Sequence, residues 1–116
     1  MTYKGTPGHG EMVVLAELAE TLIAELPEHD AGRAARTIVT GTSMRATLIA
    51  LAEGHELAEH DAPSAATLLV VQGRIRLQAG EREWPLEAGQ LIPIPPQRHS
   101  VHADSDAAFL LTVALH

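Results

Sequence analysis

The chain of 116 residues contains no cysteine. Disulfides, thiolate metal sites and a cysteine nucleophile are thereby excluded, and the composition agrees with a reducing, cytoplasmic setting. Aromatic residues are nearly absent: one Trp, one Tyr and one Phe make up 3% of the sequence. Since 46% of residues are apolar, a packed globule is expected, with a core of Leu, Val, Ile and Ala rather than rings. Basic residues are scarce as well. Eight Lys and Arg against 15 Asp and Glu give a net charge of -7. Such a chain repels phosphate backbones, and no basic cluster reverses this locally, so no nucleic-acid partner is expected. No run approaches the roughly 18 apolar residues of a membrane span, so no membrane partner is expected either. Met1 to Gly10 lacks the apolar stretch of a signal peptide.

Met1 to Gly10 also carries three glycines, a proline and no periodicity, and is expected to be a mobile tail. A helical pattern then runs over 11–26, with Val14, Leu18 and Leu22 recurring at i, i+4 and Leu15 and Leu26 widening the stripe. Pro27 is expected to end it. Beyond a polar connector the period changes to two. Strands are expected at Ala35–Thr40, Met44–Ala52, Glu56–His60, Thr67–Gln72, Arg74–Ala79, Arg82–Leu86, Gln90–Ile94, Arg98–Ala103 and Ala107–Leu115. Turn signals such as Gly41, Gly54, Gly73 and Ala88-Gly89 separate them. Many short, evenly spaced strands point to an all-β sandwich or barrel over 35–115, one domain with the helix. Met44–Ala52 and Thr67–Gln72 are apolar on both faces. They require cover inside the barrel and outside it, from the helix or from a second copy of the chain, and a homodimer is expected.

Of the seven histidines, His9, His29 and His116 fall in the tail, a connector and the C-terminus, where solvated side chains are the rule. His60 ends one strand and His99 begins another, after the turn Pro93-Ile94-Pro95-Pro96. Two imidazoles on separate strands of a small barrel can converge and bind a borderline metal. They can equally be two partly buried rings bonded to the backbone. Glu56 shares strand parity with His60 and is expected to face the same way, whereas His55 and His102 are expected on the outer face. Ser100 is adjacent to His99 and points to the opposite face, which argues against a Ser–His dyad.

The run Gly54-His55-Glu56-Leu57-Ala58-Glu59-His60, continuing through Ala62 and Ala66 to Gly73, resembles the first motif of the cupins (the RmlC-like superfamily). Gly89, followed by Pro95 and His99, resembles the second. The resemblance covers roughly 45–115 and implies a double-stranded β-helix, or jelly-roll-like barrel. It also implies a metal held by three His and one Glu, but only His60 and His99 carry over. Ala62 and Ala66 occupy the second His and the Glu positions, Gln97 replaces a glycine, and the second motif is one residue short.

Three functions remain open on this sequence. In the first, a small-molecule ligand sits in the barrel near His60, His99 and Glu56, against walls from Thr47, Ile49 and Leu51 and from Phe109, Leu111 and Val113. The second is a metal-dependent enzyme of the oxygenase or isomerase type that the resemblance implies, with Zn, Ni, Fe or Mn on His60 and His99. The third is a dimeric partner that docks on another protein.

Overall fold

The computed structural model describes residues 7–61 and 65–115. The tail expected at Met1 to Gly10 lies partly outside these residues, as do the motif position Ala62 and the terminal His116. One helix, α1 (Leu15–Glu25), runs into a 3-10 turn at Leu26–Glu28. Among the described residues nine strands follow: β1 (Arg33–Thr40), β2 (Met44–Leu51), β3 (Glu56–His60), β4 (Ala66–Gln72), β5 (Arg74–Ala79), β6 (Arg82–Glu87), β7 (Leu91–Pro93), β8 (His99–Ala103) and β9 (Ala107–Ala114). They form two antiparallel sheets. One has the order β1-β2-β9-β4-β7 and the other β3-β8-β5-β6. The barrel is thus two sheets face to face, with no hydrogen-bonded ladder joining their edges among the described residues.

Alternation divides each strand between two cores. Inward residues of both sheets, including Leu51, Leu68, Val70, Ile75, Leu77, Val101 and Phe109, form one buried cluster. The outer face of the five-stranded sheet gives Leu48, Ala50 and Ala108 to a second cluster, which Leu18, Ala19 and Leu22 of α1 complete. The helix therefore covers the outer apolar face of β2 and its neighbours. The second copy of the chain is not needed for that task.

The helix starts at Leu15, four residues later than the expected start at Glu11. Residues 7–13 instead border a recess with Ile38 to Gly41 of β1, and the Glu11 amide donates to the Gly8 carbonyl. Val13 packs into the helix-side core, while Val14, expected in the stripe, is exposed and has extended backbone. Pro27 does not stop the turn at once. It sits early in the 3-10 segment, where its missing N–H removes no bond.

The strand directions separate two ends of the barrel. Turns at 52–55, 73, 88–90 and 104–106 lie at one end. The segments 41–43, 80–81 and 94–98 lie at the other, with the chain leaving β3 and entering β4. At the first end Gly73 connects β4 to β5 with φ +79°. This is a left-handed conformation that L side chains resist.

Candidate functional site

At the second end the two histidines meet. His60 and His99 are cross-strand partners in the β3–β8 ladder, and their rings pack edge to face with centroids 4.3 Å apart and planes at 69°. His99 is 1% exposed, whereas His60 is open to solvent. Each Nδ1 lies 3.0 Å from the backbone carbonyl two residues earlier, Ala58 for His60 and Gln97 for His99. A carbonyl only accepts, so each Nδ1 must carry the proton. In the neutral rings each Nε2 then presents a lone pair, and among the described residues neither Nε2 has a hydrogen-bond partner.

The same ladder moves Glu56 away from this pair. The register reads Glu56 to His102 and Leu57 to Val101, then slips by one before His60 meets His99. A β-bulge adds a residue and reverses the facing of everything beyond it. Leu57 and His60 therefore both face inward, and Glu56 faces outward, contrary to the parity expected from the sequence. Its carboxylate lies 3.0 Å from Nδ1 of His102, whose Nε2 lies 3.0 Å from the Ser100 hydroxyl. This carboxylate–imidazole–hydroxyl chain ties β3 to β8 on the outer face. His102 is on the outer side as expected, and His55 lies in the turn before β3 with its ring over Gly32, closely enough that a Cβ there would collide with it. His9 and His29 are exposed, and His29 approaches Glu25 at 3.7 Å.

The aliphatic walls are graded in depth. Register pairs Ile49 with Phe109 and Thr47 with Leu111, all inward, and sets Leu68 beside Leu111. Phe109 is fully buried and forms a packed floor. Ile49, level with Phe109, and Leu111, one inward pair nearer the histidine end, are half-buried although they face inward, as are Thr47 and Val113. A shallow apolar recess of about 230 Å³ lies at the same end but is bordered largely by outward-facing Met44, Thr67 and Thr112, and neither histidine lines it.

The rim is braced by charge. Arg98 donates from Nε to Glu59 at 2.8 Å and from Nη1 to Asp61 at 2.7 Å, joining the segment before β8 to the end of β3. These bonds hold the Arg98 guanidinium pKa above its ordinary value. The same holds for Arg76 on the outer face, chiefly through its bonds to Asp104 and then through Glu83. Sequence reasoning did not find the Arg98 brace, because its partners lie 39 and 37 residues away.

The model of the cupin domain matches residues 47–114. The chain belongs to the cupin family. Among solved cupin structures it is similar to a superfamily protein from Desulfitobacterium hafniense, with TM-score 0.77 and 14% identity over all of both chains. It is also similar to a conserved protein of unknown function from Streptococcus pyogenes, with TM-score 0.75, 21% identity, 98% of this chain and 95% of that one. KdgF from Halomonas sp. matches with TM-score 0.65 and 17% identity, over 78% of this cupin and 91% of KdgF. At these identities the structures establish the fold alone. No curated protein matches the cupin's sequence.

The three-His, one-Glu set that the family resemblance implies does not fit this cupin. Its glutamate position, Ala66, is a methyl group aligned with Val113 at the rim. Among the described residues no group of three or more His, Cys, Asp or Glu is placed to hold a metal ion.

Proposed function

We propose that this cupin binds a small molecule in the barrel end where His60 and His99 meet. The observation that carries this is the shared tautomer: both Nδ1 protons are spent on backbone carbonyls, leaving an Nε2 lone pair on each of two rings whose centroids lie 4.3 Å apart. Two fixed acceptors, with the half-buried inward faces of Ile49 and Leu111 on the opposing sheet, suit a ligand with a polar head and an apolar body. A ligand that binds only the folded chain raises its melting temperature. A thermal-shift panel spanning neutral, anionic and cationic metabolites is expected to give hits in the wild type that His60→Ala loses. A panel with no hit in any class would remove the proposal.

The second function, a metal-dependent enzyme, draws on the same bonds, because an Nδ1–H···O=C contact is what orients metal-ligating histidines. Two neutral ligands without a carboxylate favour weak binding of Zn, Ni, Fe or Mn. Elemental analysis of protein purified without added metal is expected to find substoichiometric metal. One equivalent that disappears in His60→Ala would favour the enzyme instead.

A further inference from the structure

Strand β6 ends one sheet and β7 ends the other, and no hydrogen-bonded ladder joins these two edges among the described residues. The Val70 amide donates to the Gln90 carbonyl and the Ile94 amide to the Ala66 carbonyl, so both ends of β7 are committed to β4. Alternation along an antiparallel ladder then turns the backbone groups of Leu91 and Pro93 to the open edge. Pro93 has no N–H to offer there, and Pro85 has none to offer from β6. Prolines on both edges disfavour a ladder across the seam, and they disfavour a further strand added from outside.

The two edges border one recess of about 340 Å³, lined by Trp84, Pro85 and Leu86 of β6 and by Gln90, Leu91 and Ile92 at β7. Trp84 and Ile92 are half-buried and pack on the inner core, whereas Leu91 is 55% exposed. Among the described residues no charged side chain lines the recess, in a chain where 20% of residues are charged. The guanidinium of Arg82 lies 4.7 Å from the centroid of the Trp84 ring but is not part of the lining. Arg74, Glu87 and Asp104 border a neighbouring recess. The Gln90 side-chain oxygen accepts from the Glu87 amide, which leaves its NH2 group free to donate among the described residues. An occupant therefore meets apolar walls, one amide donor and the carbonyls of an unpaired strand edge. A charged group would lose hydration there without a counter-ion. The volume is at the small end of ligand pockets and suits one ring.

We infer that the seam between β6 and β7 is a second binding site, and that its ligand is a small neutral ring compound bearing a hydroxyl group. The ring covers Trp84, Leu91 and Ile92, and the hydroxyl exchanges hydrogen bonds with the Gln90 amide and the open edge of β7. Neither histidine lines this recess, so the site stands apart from the histidine end. Trp84 is the only tryptophan, and its emission, excited at the red edge of its absorption, reads the recess directly. The experiment titrates the whole chain with 2-phenylethanol, phenylacetate and 2-phenylethylammonium, which share a ring and differ in charge. The alcohol is expected to change the emission saturably, and both ions are expected to bind at least about fivefold more weakly. Leu91→Ser, at an exposed position, is expected to weaken the alcohol about threefold or more through lost apolar contact. Met44→Ser, an exposed apolar residue outside the recess, and His60→Ala are expected to leave binding unchanged. Absence of a saturable change, ions that bind as well as the alcohol, or Leu91→Ser that binds like wild type would overturn the assignment. Binding lost in His60→Ala would place the alcohol at the histidine end instead. Emission that shifts with protein concentration before any ligand is added would assign the recess to a second copy of the chain and remove the proposal.

Discussion

Gly73 joins the two sheets in a left-handed conformation at φ +79°, and a Cβ added there would fall on the carbonyl oxygen of Asp106 and on Ala107. Those neighbours are backbone and cannot rotate away. Gly73→Ala is therefore expected to destabilise the fold by about 3 kcal/mol, read as a lowered urea midpoint with an unchanged slope. A loss under about 0.5 kcal/mol would mean that the turn can be rebuilt around a side chain. Ala66 offers the opposite experiment. It faces inward beside Val113 at the histidine end and is half-buried. Ala66→Glu is expected to add a carboxylate to the two Nε2 donors and to tighten Zn binding at least about tenfold in a calorimetric titration. Unchanged affinity would show that β4 does not bring position 66 within reach of the rings.

Among the elements, α1 owes its place to one stripe. Leu18, Ala19 and Leu22 are buried against Leu48, Ala50 and Ala108. Glu25 also accepts from Arg36 of β1 at 2.9 Å, in a half-buried pair. Leu22 has no exposed surface. Leu22→Ala is expected to cost about 2–4 kcal/mol of stability by denaturant unfolding, from lost burial and the cavity left behind. The stripe was legible in the sequence, because Leu18 and Leu22 recur at the helical period. Its start was not. Val14 fits the same period, yet no sheet surface lies beneath it and residues 7–13 find contacts along the end of β1 instead. Strand β7 spans Leu91–Pro93, and the Gln90 carbonyl and Ile94 amide at the ends of the expected Gln90–Ile94 still bond Val70 and Ala66 of β4. Strand β3 was located at its observed bounds while its facing was half wrong. One bulge between Leu57 and His60 reversed the parity, and nothing in Leu57-Ala58-Glu59-His60 marks an extra residue.

For the molecule as a whole, the two clusters share the five-stranded sheet, so loss of either removes support from the other. Unfolding is expected to be a single transition. Trp84, the only tryptophan, reports the inner cluster, and far-UV circular dichroism at 222 nm follows the helix on the outer one. Coincident midpoints by the two probes are expected. An earlier loss of ellipticity would show that the helix detaches alone. The sequence by itself determined the all-β class, the order of the strands, the two-sided character of β2 and β4 and the glycines and histidines of the cupin motifs. These follow from local alternation, turn chemistry and residue type, which are properties of a few neighbouring residues. Tertiary structure alone decided that the barrel is two sheets, that Glu56 leaves the histidine pair for His102, and that Arg98 braces the rim. It also decided that both imidazoles spend Nδ1 on the backbone. Each of these depends on the register between strands distant in the chain, and a shift of one residue there exchanges the inside of the wall for the outside.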